Sequence, residues 1–132
     1  MNKDLPQNLL YNKDYSWIKI EGEIATLGLI KPAAKKVEEF VFIKLPEKSE
    51  EINEGEIYVS LEAMKWSGHL SSPVSGEVVE VNEEVFNDPA IINEDPYDKG
   101  WFCKIKLSKP EEKEALLSAD DIDKHLQENE IK

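Results

Sequence analysis

Arginine is missing altogether: all 16 basic residues are lysines, set against 28 acids, for a formal net charge of −12. Nucleic-acid recognition relies on a basic footprint and favours guanidinium forks, so this balance argues against it. The surplus of negative charge serves solubility and steers the chain towards basic patches on protein partners. Cysteine is nearly missing too. A single thiol, Cys103, rules out an intramolecular disulfide and fits a reducing, cytoplasmic setting. Flanked by Trp101, Phe102 and Ile105, it reads as a packing residue rather than a reactive thiol. His69 and His125 are far apart and give no metal-ligand spacing. No stretch approaches the roughly 20 apolar residues needed to span a bilayer. The opening MNKDLPQNLL has acidic and proline residues, unlike a secretory signal or an arginine-rich transit peptide. The glycines are singletons at turns, so neither a P-loop nor a dinucleotide fingerprint is present. No spacing of Ser, His and acid residues points to a nucleophilic triad. Paired acids such as Glu38-Glu39 and Glu83-Glu84 read as solvated faces. The expectation is a non-catalytic protein.

What is present is a chain of 132 residues, the right length for one domain with a modest core and no staples. Its centre is the stretch Gly55 to Gly76, reading GEIYVSLEAMKWSGHLSSPVSG. Ile57, Val59 and Leu61 alternate with Tyr58, Ser60 and Glu62, a period-2 pattern for a half-buried strand. After Ser72-Pro73-Val74-Ser75-Gly76, a second strand follows over Val78 to Val81. Lys65 lies at the turn between the two halves, with Gly55 and Gly76 as outer markers. A lysine at a hairpin tip presents its ammonium to solvent, within reach of a modifying enzyme. The same placement also serves solubility or discourages edge pairing, and spacing alone does not separate the two.

In chain order, residues 1–14 form a lead-in anchored by Tyr11. Ser16 to Ile20 and Glu23 to Leu29 read as a hairpin turning at Glu21-Gly22. Lys31 to Glu39 reads as a short helix with Pro32 in its first turn. Phe40 to Leu45 reads as a buried strand stopped by Pro46, and Glu47 to Glu54 as a loop. Asn82 caps a helical turn or two that ends at Pro89. Ile91 to Gly100 has loop chemistry throughout. Trp101 to Leu107 alternates as a strand. From Ser108 onward, Leu116, Leu117, Ile122 and Leu126 predict two short amphipathic helices covering one end of the sheet. Gln127 to Lys132 is expected to fray. Gly-Glu-Ile at 22–24 and 55–57 and Gly-Glu-Val at 76–78 each open a strand, as in a barrel of similar hairpins.

Beyond these patterns, the chain resembles the H protein of the glycine cleavage system from about Tyr11 to about Leu126. The likeness is carried by Tyr11-Asn12-Lys13-Asp14-Tyr15-Ser16-Trp17, Phe42-Ile43-Lys44-Leu45-Pro46 and the run from Ser72 to Asn82. Asn93-Glu94-Asp95-Pro96-Tyr97 with Gly100-Trp101 completes it. The resemblance implies a mainly β barrel-sandwich hybrid with short helices and a helical C-terminal end. It implies lipoate bound covalently to Lys65, with Glu62 helping to present the hairpin and Met64, Trp66, Gly55 and Gly76 framing it. Implied partners are a lipoate ligase or lipoyltransferase, a pyridoxal-phosphate glycine decarboxylase, a folate-dependent aminomethyltransferase and a flavin dihydrolipoyl dehydrogenase. Neither nucleic acid nor membrane belongs to that set.

Three features depart from the usual family pattern. Trp66 stands where a small residue normally follows the modified lysine, and its indole is expected to shape the groove in which the arm docks. Ile30 to Glu39 strays from the usual helix sequence. Glu62-Ala63-Met64-Lys65 is similar to the attachment core of biotinyl carriers, which lack a counterpart to the C-terminal third. Lys65-Trp66-x-Gly68, with Leu29 to Ala33, also resembles the lipoate-binding carriers of a heterodisulfide-reductase-like sulfur-oxidation system. An interaction module that keeps the fold without the cargo is a further alternative.

Overall fold

Strand β1 (Leu10–Tyr11) pairs with β2 (Ser16–Glu21), and β2 turns back through Gly22 into β3 (Ile24–Leu29). Gly22 has φ +63°, the left-handed region this tight hairpin demands and glycine tolerates. The computed structural model describes residues 4–64 and 66–128. Helix α1 (Lys31–Val37) follows, with Pro32 in its first turn as expected. Next come β4 (Phe40–Lys44), β5 (Glu51–Ile52), β6 (Ile57–Ala63), β7 (Trp66–Ser71) and β8 (Gly76–Val81). Helices α2 (Glu83–Asn87) and α3 (Ala90–Glu94) precede β9 (Cys103–Leu107). A 3-10 helix (Pro110–Ala115) and α4 (Ala119–Glu128) close the described chain.

The strands form two sheets. One has six strands in the order β1-β2-β3-β9-β8-β5; the other has three, in the order β4-β6-β7. They share a core in which Ile18, Leu27, Val78 and Ile105 of the larger sheet meet Ile43, Val59, Leu61 and Leu70 of the smaller. Cys103 is buried in that core, in the packing role its neighbours foretold. A second cluster gathers Leu5, Leu9, Tyr11, Trp17, Ile30, Ala119 and Ile122, with Leu117 and Leu126 packed against it. This cluster seats the lead-in segment and α4, and Tyr11 is its anchor.

Several expectations are corrected by register. A bulge between Ile57 and Val59 breaks the alternation of β6, so Tyr58 and Val59 are both buried while Ile57 is 58% exposed. A second irregularity, between Phe40 and Phe42, leaves β4 buried only at Phe40 and Ile43; Val41 and Phe42 face outwards. The expected loop at 47–54 holds β5, whose two residues pair with Glu77 and Gly76. The expected loop at 91–100 begins with α3, which buries Ile92 against the core. Leu116 and Leu117 lie between the last two helices, and Leu117 bridges to Tyr11 instead of lining a helix. Of the frayed end expected over Gln127 to Lys132, residues 129–132 lie outside the described residues. Asn82 behaves as read: its side chain accepts from the Glu84 N–H at the start of α2.

Buried phenols tie the sheets and the lead-in together. Tyr58 shares a 2.7 Å hydrogen bond with Ser16, and Tyr11 donates to the Pro6 carbonyl at 2.6 Å. Tyr97 donates to the Asp4 carbonyl and accepts from the Lys31 N–H at 2.9 Å. Burial pushes Tyr97 up to about 12, and it raises Tyr11, Tyr58 and the Cys103 thiol as well. The folded chain therefore keeps protons that the unfolded chain releases at ordinary values of about 8.5 for thiol and 10 for phenol. The stability these groups contribute is complete below those values and is lost as pH rises towards their folded values. Urea midpoints should stay level to about pH 8 and fall steeply between roughly pH 10 and 12. Tyr58→Phe should make that fall shallower; an unchanged slope would remove Tyr58 from the account.

Candidate functional site

The central hairpin is built by β6 and β7, paired from Ile57↔Ser71 to Ala63↔Trp66; the second strand expected over Val78 to Val81 lies instead in β8 of the larger sheet. That last pair leaves a connection of two residues, the first of them Met64, the commonest length for a β-hairpin. Lys65 itself lies outside the described residues. Its neighbours define the tip. Met64 is 73% exposed, an unusual position for an apolar side chain, and Glu62 is exposed one residue before the end of β6.

Trp66 does not project freely. Paired residues share a sheet face, and Ile43, Leu61 and Gly68 are paired across the three strands with their core side inward. Trp66, two residues before Gly68, points to that same side, beyond the end of the core. Its indole covers the Gly68 α-carbon so closely that a β-carbon there would stand 2.5 Å from Cζ2. The buried Phe40 ring meets it edge-on, at 6.4 Å between centroids and 81° between planes. The indole remains 41% exposed. On the opposite face, Glu62 pairs with Ser67 and lies beside Phe42, and Ser60 pairs with His69. His69 Nδ1 and Ser60 Oγ are 3.3 Å apart, and the imidazole is exposed as a surface side chain.

Met64 and Trp66 are chain neighbours of position 65, and Glu62 lies near the same end of the hairpin on the face opposite Trp66. Gly55 and Gly76 are elsewhere. Gly55, with φ +91°, turns the chain into β6 and donates its N–H to the Ser72 carbonyl at 2.9 Å. Gly76 opens β8 in the larger sheet, opposite Leu107 and Ile52. Both belong to the mount of the hairpin.

Asn12, Asp14, Ser72 and Ser75, which carried the resemblance without an assigned role, hold that mount together with Ser71 and Glu112. The Asp14 carboxylate accepts from both the Ser71 N–H and the Ser71 hydroxyl, while Asn12 donates to the Ser71 carbonyl at 3.3 Å. The open edge of β7 is closed in this way at its base. In the Pro73 turn, Ser72 Oγ donates to the Val74 carbonyl at 2.7 Å, and Glu112 accepts from Ser75 N and Oγ at 2.7 and 2.8 Å. The sequence signal for these clamps is faint: a serine on each side of Ser72-Pro73, with the acids 37 and 57 residues away.

Among the described residues no group of His, Cys, Asp and Glu could hold a metal ion, and no helix is long and apolar enough to cross a membrane. The arrangement is a hairpin clamped at its base, with Met64 exposed at its far end.

A sequence model described as glycine cleavage H-protein matches residues 9–129. The glycine cleavage system H protein of Staphylococcus epidermidis is 42% identical over 116 residues, covering 88% of this chain and 92% of the relative. That of Carboxydothermus hydrogenoformans is 43% identical over 124 residues, covering 94% and 95%. In three dimensions, the crystal structure of a glycine cleavage system H protein from Mycobacterium marinum superposes with a TM-score of 0.81 at 30% identity, covering 96% of this chain and 99% of that one. The two sheets and the C-terminal helix are accordingly those of the barrel-sandwich fold. With a family match across most of its length and two close relatives of the same kind, the chain belongs to the glycine cleavage H-protein family.

Proposed function

We propose that this protein is the lipoyl carrier of a glycine cleavage system, with lipoate joined as an amide to the Lys65 side chain. The observation that carries this reading is the two-residue connection between Ala63 and Trp66 at the end of the clamped hairpin, with Met64 in it and Glu62 just before it both exposed. Such a turn suits a group that must enter several active sites, because the described side chains next to it, Met64 and Trp66, are themselves exposed. When bound, lipoate would supply a ring disulfide that opens to two thiols and stores two electrons on closing. The chain's own part is to hold and aim. Rigid attachment keeps the tether short, so the arm's effective concentration at a docked partner stays high. Amide formation would also remove one positive charge from a protein of formal charge −12. That leaves a still more acidic surface to meet basic partner faces.

By this reading the chain is a non-catalytic subunit. Its partners are the enzyme that attaches lipoate, the pyridoxal-phosphate decarboxylase, the folate-dependent aminomethyltransferase and the flavin dihydrolipoyl dehydrogenase. The names of the relatives favour this shuttle over sulfur oxidation.

Intact mass tests the proposal. Protein treated with lipoate ligase, lipoate and ATP should gain one lipoyl increment, and Lys65→Arg should gain none. A biotinyl increment, no increment, or a lipoyl increment that persists in Lys65→Arg would overturn it.

A further inference from the structure

Among the described residues two carry sulfur, Met64 and Cys103, and they differ in access. Cys103 is wholly buried between the sheets, where burial holds its thiol protonated well above the ordinary range. Met64 is 73% exposed at the far end of the hairpin, more than any other large apolar side chain among the described residues. A thioether has no proton to lose, so access alone decides whether an oxidant reaches it. Resting on the proposal that Lys65 receives lipoate, we propose that Met64 is a peroxide-sensitive gate on that attachment. The thioether admits the attaching enzyme, and the sulfoxide keeps it off.

The length of the connection supports this role. It holds two residues, whose α-carbons are about 3.8 Å apart, so an enzyme acting on the second must cover the first. Against such a surface a thioether is apolar, unbranched and adaptable. Peroxide changes that in one step. A sulfur lone pair forms an S–O bond as the peroxide O–O bond breaks, and water leaves; sulfur is oxidised by two electrons and peroxide is reduced. The product is polar and chiral, and its oxygen loses water on docking without gaining a partner. The change is reversible, because sulfoxide reductases return the thioether.

The carrier alone is treated with hydrogen peroxide, catalase removes the excess, and lipoate ligase, lipoate and ATP follow. Peptide mapping locates the added oxygen and separates Met64 from Met1. The oxidised parent should show an apparent KM for the ligase about tenfold above the untreated one, with kcat within about twofold, as expected for a polar group buried unpaired. Methionine sulfoxide reductases of both epimer specificities should restore the untreated KM. Met64→Leu, compared only with itself, should give the same KM before and after peroxide. Met64→Gln, polar without any oxidant, should start near the raised KM of the oxidised parent.

No oxygen on Met64, or oxidised Met64 with an unchanged KM, overturns the gate and leaves carriage intact. So does an equal rise in Met64→Leu, a raised KM that survives repair, or Met64→Gln at the KM of the untreated parent. No lipoyl increment on the untreated parent overturns carriage and the gate together.

Discussion

Gly76→Ala should cost about 3 kcal/mol, near the upper end for overpacking, and should lower the melting temperature by roughly 10 °C. A β-carbon at Gly76 would stand 2.0 Å from the Lys106 carbonyl oxygen and 2.6 Å from Ile105 Cγ2. The first of these neighbours is backbone of the paired strand, which cannot swing aside as a side chain would. Relief requires β9 to move away from β8 inside the six-stranded sheet, and Ile52 of the edge strand β5 is paired from the other side. For a protein of ordinary stability, 5–15 kcal/mol, that is a large share. Gly22→Ala provides the contrast. There a β-carbon meets nothing within 4 Å, but φ is +63°. Only the left-handed backbone is penalised, by about 1 kcal/mol. Chemical denaturation of the two variants should therefore separate by about 2 kcal/mol, the difference between overpacking and conformational strain. Equal losses would mean that β9 yields easily and that Gly76 is only a turn residue.

Gly76 shows how far the sequence could be read. A glycine after Ser-Pro-Val-Ser looks like a turn signal and a marker of the attachment hairpin. Its need for space comes from Lys106, 30 residues later, and no local pattern encodes that. Period-2 alternation located most strands because each sheet has a face on the core. That rule failed where a bulge shifted the phase at Ile57 to Val59, and the reading of Phe40 to Leu45 as a wholly buried strand failed at the irregularity between Phe40 and Phe42, since the extra residue is set by the partner strand. Local capping chemistry was legible at Asn82 and at Pro32. The short α3 was hidden because Asn93, Asp95 and Pro96 belong equally to turns, and burial of Ile92 decided the matter. At the candidate site, motif alone pointed to the hairpin tip, where Met64 and Glu62 are exposed. The Gly68 seat beneath Trp66 and the Asp14 clamp on Ser71 could not be read that way, because both depend on neighbours fixed only by the fold.

Trp17→Ala should be the most damaging single truncation, costing about 3–5 kcal/mol for the cavity and more for the carbonyl it leaves unpaired. The indole is 1% exposed, donates from Nε1 to the Pro96 carbonyl at 2.9 Å and lies 6.1 Å from the Tyr97 ring. Tyr97 in turn holds Asp4 and Lys31, so one side chain joins the lead-in, α1 and the 95–101 connection to the outer face of the sheet. Trp17→Phe retains most of the apolar volume and should lose about 1 kcal/mol for the hydrogen bond plus a smaller packing term. Gly28 supplies the decisive comparison, since a β-carbon there would stand 2.4 Å from the Trp17 ring. Gly28→Ala alone should destabilise by about 1–3 kcal/mol through overpacking. In the Trp17→Ala background the same methyl enters the vacated space and should cost almost nothing, giving a coupling of similar size in a double-mutant cycle. Additive losses would show that the two sites do not share that volume. Because Trp17 packs in the second cluster and the hairpin belongs to the three-stranded sheet, the folded fraction of Trp17→Ala at low temperature should accept lipoate from a ligase to the same extent as the parent, on the proposal that Lys65 is the acceptor. Loss of modification in a fraction that remains folded would instead tie the hairpin's presentation to this distant cluster.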